Sequence, residues 1–127
     1  MWVSYRKARC FSFLGAFLGV YANGQTSGQD GPIHRDNTSE APGRTVMLFC
    51  SEHWATCWGG ELMFYDYDKE NIVMSVQPKP RRVVIFNGEI PHVARAPAAN
   101  CNRLRMSIAF KTLIRESQTW PDQSKLS

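Results

Sequence analysis

His34-Arg35-Asp36 places an imidazole and a carboxylate two residues apart. In an extended segment alternate side chains share one face, so this pair can address a single metal ion while Arg35 points away. His92, within Ile90-Pro91-His92-Val93, lies 56 residues beyond Asp36 (92 − 36), at the start of a second apolar run where another strand can return beside the first. Two neutral nitrogens and one carboxylate on one face of a ferrous ion leave three coordination positions open for other ligands. His34, Asp36 and His92 are therefore the predicted metal ligands and catalytic residues.

A second constellation sits near the end of the chain, in Leu104-Arg105-Met106-Ser107-Ile108-Ala109-Phe110. This run reads as a last strand, and Arg105 and Ser107 fall on the same face of it. A planar guanidinium binds a carboxylate through two parallel hydrogen bonds, and a neighbouring hydroxyl adds a third. The far carboxylate of 2-oxoglutarate, deep in a barrel, needs that provision, with its keto-acid end chelating the iron. Arg103 has the same parity and is the rival anchor, ranked second because it sits closer to a loop.

The elements that must position these groups are short. Residues 22–32 are dense in Gly, Asn, Gln and Ser and read as a loop that delivers the chain to a His-x-Asp strand. Residues 37–43 form a second polar loop. Residues 44–50, β-branched and apolar, fit a central strand buried on both faces. Gly59-Gly60 introduces a strand over 61–65, and a charged turn at 66–71 makes a hairpin into 72–76. Pro78 and Pro80 interrupt the pattern, because two prolines cannot sit in a central ladder. Strands over 81–86 and from 91 follow, joined at Asn87-Gly88. Many short strands with turn signals between them and little helical periodicity predict a mainly β, minimal double-stranded β-helix, or jelly roll, with little flanking helix.

With 127 residues there is room for one domain. The division expected is an N-terminal segment 1–20, strand-like or signal-like, a jelly-roll domain 21–112 and a polar tail 113–127. The net charge of +4 is spread along the chain rather than gathered in one basic tract, so nothing argues for nucleic acid as a partner. Cys10, Cys50, Cys57 and Cys101 match no zinc-ribbon spacing and read as free or buried thiols, with a Cys50–Cys57 disulfide left open. The apolar run 10–20 follows Arg6, Lys7 and Arg9 and is too short to span a membrane. A buried strand of the domain is the preferred reading, hence a cytoplasmic protein; a secretory signal ending at Ala22 is the alternative.

The series Tyr21-Ala-Asn-Gly-Gln-Thr, Ile33-His34-Arg35-Asp36, Trp58-Gly59-Gly60-Glu61, Pro78-Lys79-Pro80, Pro91-His92-Val93-Ala94-Arg95 and Leu104-Arg105-Met106-Ser107 resembles the prolyl 4-hydroxylase-like branch of the Fe(II)/2-oxoglutarate dioxygenases, in its small phage and marine-bacterial form. The resemblance covers about residues 20 to 112. It implies Fe(II) held by His34, Asp36 and His92, 2-oxoglutarate anchored by Arg105, and Tyr21 bordering the cosubstrate pocket. Ascorbate enters as an optional addition. It implies a hydroxylase that turns 2-oxoglutarate and O2 into succinate and carbon dioxide while oxidising a peptide or small molecule. Asp36 favours hydroxylation over halogenation, since the family's halogenases carry no carboxylate at that position. Two departures stand out: Phe49 replaces a cosubstrate-binding tyrosine of some members, and almost nothing corresponds to the helices that usually precede the barrel. Those missing helices motivate the alternative of a non-catalytic or truncated jelly-roll module that retains the metal site. A zinc hydrolase is disfavoured because no H-E-x-x-H helix accompanies the ligands.

Overall fold

In the computed structural model residues 16–114 are described. Two antiparallel sheets face each other. The larger has the order β1-β7-β2-β5, with β1 at Ala16–Gln25, β7 at Arg105–Leu113, β2 at Arg44–Phe49 and β5 at Val83–Asn87. The smaller has the order β4-β3-β6, with β4 at Ile72–Val76, β3 at Leu62–Tyr65 and β6 at His92–Ala94. A 3-10 turn at Thr56–Trp58 is the only helical piece among the described residues. The predicted mainly β jelly roll is the fold observed.

Register decides which side chains meet inside. Tyr21, Ala109, Met47 and Val84 stand opposite one another across the larger sheet, and Asn23, Ser107 and Phe49 form the next rung. Lys111 and Thr45 share the rung on the other side. Because the side-chain period of a strand is two, Arg105, Ser107, Ala109 and Lys111 all project to the inner face. Between the sheets lie Met47, Phe49, Leu62, Phe64, Val76, Val84, Phe86 and Ala109, with Phe64 and Phe86 packed edge to face at 4.9 Å. Each large apolar side chain buried there contributes about 1.5–3 kcal/mol. That is the rigid support for the polar groups at one end of the barrel.

Several expectations need correction. The described part of the segment leading into His34, from Ala16, is an edge strand among the described residues rather than a buried one: Leu18 is 53% and Val20 57% exposed. This strand runs on to Gln25, through residues expected to form a loop, because pairing with β7 supplies the ladder that Asn23-Gly24-Gln25 would not sustain alone. β2 is buried on its inner face only, with Thr45, Met47 and Phe49 inside and alternate residues half-buried. The His-x-Asp segment is not a strand but a single bridge, His34 with His92. Its ladder stops because the amides of Asp36 and Asn37 both donate to the Gly88 carbonyl, at 2.8 and 3.0 Å. A Cβ on Gly88 would strike the Asn37 side chain, so this close approach needs glycine. The final strand continues past Phe110 to Leu113. Cys50 and Cys57 are free thiols, as expected, and the disulfide left open is not formed. The tail beyond 114, Cys10 and the basic residues before it lie outside the described residues.

Candidate metal and cosubstrate site

The bridge that replaces a His-x-Asp strand is enough to bring the three distant residues together. His34 and His92 exchange backbone hydrogen bonds of 3.0 and 2.9 Å, which sets their rings 4.5 Å apart. Asp36 then reaches both: its Oδ1 is 3.4 Å from His34 Nε2 and its Oδ2 is 3.4 Å from His92 Nε2. One ligand atom from each of the three residues lies within 4.8 Å of the others, a cluster able to hold a metal ion. His92 is buried against Phe86, while the His34 side chain is 47% exposed at the rim.

The second nitrogen of each ring fixes which tautomer is present. His34 Nδ1 lies 3.1 Å from the Pro32 carbonyl and His92 Nδ1 2.8 Å from the Ile90 carbonyl. A carbonyl only accepts, so the proton of a neutral imidazole belongs on Nδ1 and the Nε2 lone pair is directed toward Asp36. A lone pair facing a carboxylate is satisfied by a proton or a cation between them. Such backbone-held imidazoles are the usual support of metal-ligating histidines.

Asp36 is held ionised. Burial alone would raise its pKa, but the close approach of His34, His92, Lys111 and Thr45 outweighs burial and keeps it well below the carboxylate range. Lys111 Nζ stands 2.6 Å from Oδ1, and the Thr45 hydroxyl donates to Oδ2 at 2.6 Å. The His34 pKa is raised, first by its bond to Asp36. Neither Lys111 nor Thr45 was among the predicted site residues, although Lys111 falls on the same face of β7 as Arg105 and Ser107 by parity alone.

At the other end Arg105 is fully buried. Its Nε donates to the Gly60 carbonyl at 2.6 Å, its Nη1 donates to Gln25 Oε1 at 3.1 Å, and its Nη2 has no partner. Gly60 adopts a φ of +75°, and a Cβ there would crowd the Arg105 side chain and Trp54, so glycine is what allows this carbonyl to approach. Burial pushes the Arg105 pKa down to about 10, with Glu61 opposing the shift. Ser107 Oγ is also buried without a partner. Phe49, which the resemblance sets where some members carry a tyrosine, presents its ring to the guanidinium at 5.1 Å. Arg103 is exposed in the preceding loop, so of the two arginines only Arg105 reaches the interior.

A cavity of about 430 Å³ runs from the triad to Ser107 and Gln25 and stops short of Arg105. Its walls include the triad, Ser107, Lys111 and the apolar Met47 and Leu62, a volume and mixture usual for small-molecule sites. Tyr21, half-exposed, lines the mouth with its ring 5.1 Å from Lys111 Nζ.

The family model of the 2OG-Fe(II) oxygenase superfamily matches residues 18–111. Among solved structures, a prolyl hydroxylase from Trichoplax adhaerens, in complex with a hypoxia inducible factor oxygen degradation domain peptide fragment, aligns with a TM-score of 0.58 at 18% identity. That alignment covers 76% of this chain and 45% of the hydroxylase chain, so this chain spans less than half the length of that relative, and the likeness is one of fold. No curated protein sequence matches.

Proposed function

Because this chain belongs to the 2OG-Fe(II) oxygenase superfamily, we propose that it is a prolyl 4-hydroxylase-like dioxygenase in which His34, Asp36 and His92 hold Fe(II) and Arg105 with Ser107 anchors 2-oxoglutarate. The observation that carries this reading is a three-ligand cluster and an unmatched Ser107 hydroxyl on one cavity, with the unmatched Arg105 guanidinium buried behind its Gln25 wall. The donor set suits ferrous iron: two Nε2 lone pairs and an ionised carboxylate. Bound iron and 2-oxoglutarate would supply the oxidising chemistry, O2 giving one oxygen atom to succinate as carbon dioxide leaves and the other to the substrate hydroxyl.

The chain's own residues do the positioning. Thr45 and Lys111 hold Asp36 in one orientation, and the carbonyls of Pro32 and Ile90 hold the imidazoles. Arg105 is desolvated and lacks a carboxylate bonded to its guanidinium, so a dicarboxylate end reaching it gains a charge-assisted bond in a region that excludes water. Met47, Leu62 and Val93 keep the cavity wall apolar around the reacting face. Tyr21 borders the cosubstrate at the mouth. The solved hydroxylase that shares the fold is bound to a peptide, which favours a peptide substrate here.

The test is anaerobic loading with Fe(II), then admission of oxygen and measurement of succinate formed from 2-oxoglutarate, with and without candidate peptides. Succinate release that a peptide stimulates supports the reading. Folded, iron-loaded protein that releases none in any mixture overturns it in favour of a non-catalytic module.

A further inference from the structure

The cavity ends short of Arg105. Its wall there is formed by Gln25 and Ser107, whereas Arg105 is fully buried and does not line it. Gln25 closes β1 and stands opposite Arg105, which opens β7. The Gln25 amide is engaged at both ends. Its Oε1 accepts from Arg105 Nη1 at 3.1 Å, and its Nε2 donates to the carbonyls of Gln29 at 3.0 Å and Ala94 at 3.1 Å. A guanidinium only donates and carbonyls only accept, so the amide fits in one orientation alone. One side chain thus joins the arginine to the loop 26–32, whose Gln29 and Asp30 also line the cavity.

We propose that Gln25 is the gate of the carboxylate pocket: a dicarboxylate reaches Arg105 only when the Gln25 amide turns aside, and that turn releases its hold on the loop 26–32. This rests on the reading of Arg105 as the anchor of 2-oxoglutarate. A carboxylate moving down the cavity meets Gln25 first. Nε of Arg105 is committed to the Gly60 carbonyl, so two parallel bonds must come from Nη1 and Nη2, and Gln25, which accepts one of the two Nη1 protons, also forms the cavity wall on the Arg105 side. A carboxylate is a stronger acceptor for a guanidinium than a neutral amide oxygen, so the exchange at Arg105 is favourable. Its cost is the amide's bonds to Gln29 and Ala94. The loop keeps its internal bond from Thr26 N to Gln29 Oε1 at 2.7 Å and stays tied to the barrel by Ala96 N, which donates to Asp30 Oδ1 at 2.8 Å, so the release is local.

The experiment is equilibrium binding of 2-oxoglutarate to the Fe(II)-loaded full chain without oxygen, read by calorimetry, with thermal melts confirming that each variant folds. Gln25→Ala removes a bond from the guanidinium to a neutral amide oxygen that the ligand must otherwise replace, so it should bind about 2- to 10-fold tighter than the natural protein. A residue with a merely structural role would weaken binding when truncated. Gln25→Glu places a carboxylate on Arg105 permanently and should weaken binding by about 10-fold or more. Gln25→Ala binding equally or more weakly, or Gln25→Glu binding as tightly as the natural protein, overturns the gate. Arg105→Gln separates the two readings. If it weakens binding while Gln25→Ala does not tighten it, the anchor stands and the gate falls; if it leaves binding unchanged, the anchor falls and the gate with it.

Discussion

At the rim end of the cavity the Asp36 carboxylate is met by Lys111, Thr45 and two imidazoles, whereas at the inner end Ser107 keeps an unbonded hydroxyl and Arg105, buried behind the Gln25 wall, keeps an unbonded Nη2. The first region has its charges matched from within the chain and still directs lone pairs inward from both histidines. The second has a desolvated cation whose bonded partners are neutral carbonyl groups. The contrast teaches what each end lacks: a cation for the first, an anion for the second. A bifunctional ligand that chelates iron at one end and carries a carboxylate at the other meets both needs.

The largest expected effect is on the rim end. Asp36→Ala or His92→Ala should abolish stoichiometric iron binding and iron-dependent turnover, and metal analysis after desalting checks this; retained iron would remove the residue from the ligand set. The next effect belongs to the inner end. Arg105→Gln should leave iron stoichiometry intact and raise the 2-oxoglutarate requirement about 10- to 100-fold, given roughly 1.5–3 kcal/mol for a charged hydrogen-bonding group. Loss of iron in that variant would show that the two ends are not separable. Ser107→Ala removes a neutral partner and should raise the same requirement about 2- to 10-fold, measured by succinate formation against cosubstrate concentration.

The smallest effect is that of pH. His34 has a raised pKa through its bond to Asp36, so the stability this pair gives metal-free protein is present below pH 6.5 and is lost as pH rises through the folded value. Iron binding has the opposite sign, since the metal takes the neutral imidazole: occupancy at limiting Fe(II) should rise across that same window. His34→Gln should flatten the pH dependence of the metal-free melting temperature; an unchanged profile would assign it elsewhere.

What the sequence discloses follows from how local each signal is. Two-residue spacings carry His34 with Asp36 and Arg105 with Ser107, because parity on an extended chain needs no knowledge of partners. His92 is legible through the apolar run that Pro91 opens. Lys111 escapes because the last strand is expected to end at Phe110, one residue before it. Thr45 escapes because β2 is expected to be buried on both faces, which hides that its inner side carries a hydroxyl aimed at Asp36. Gln25 escapes because Asn23-Gly24-Gln25 has the composition of a loop, and only the register with β7 draws it into a strand opposite Arg105. The half-exposed edge strand at Leu18 and Val20 is hidden for the same reason: a run of apolar residues does not say which of its faces has a neighbour.

An anaerobic titration of the full chain with Fe(II) in the presence of 2-oxoglutarate, set beside the same titration of Asp36→Ala, tests the site most directly. One iron and one 2-oxoglutarate per natural chain, with iron binding lost in the variant, is the predicted result. Equal iron binding by both proteins would contradict it.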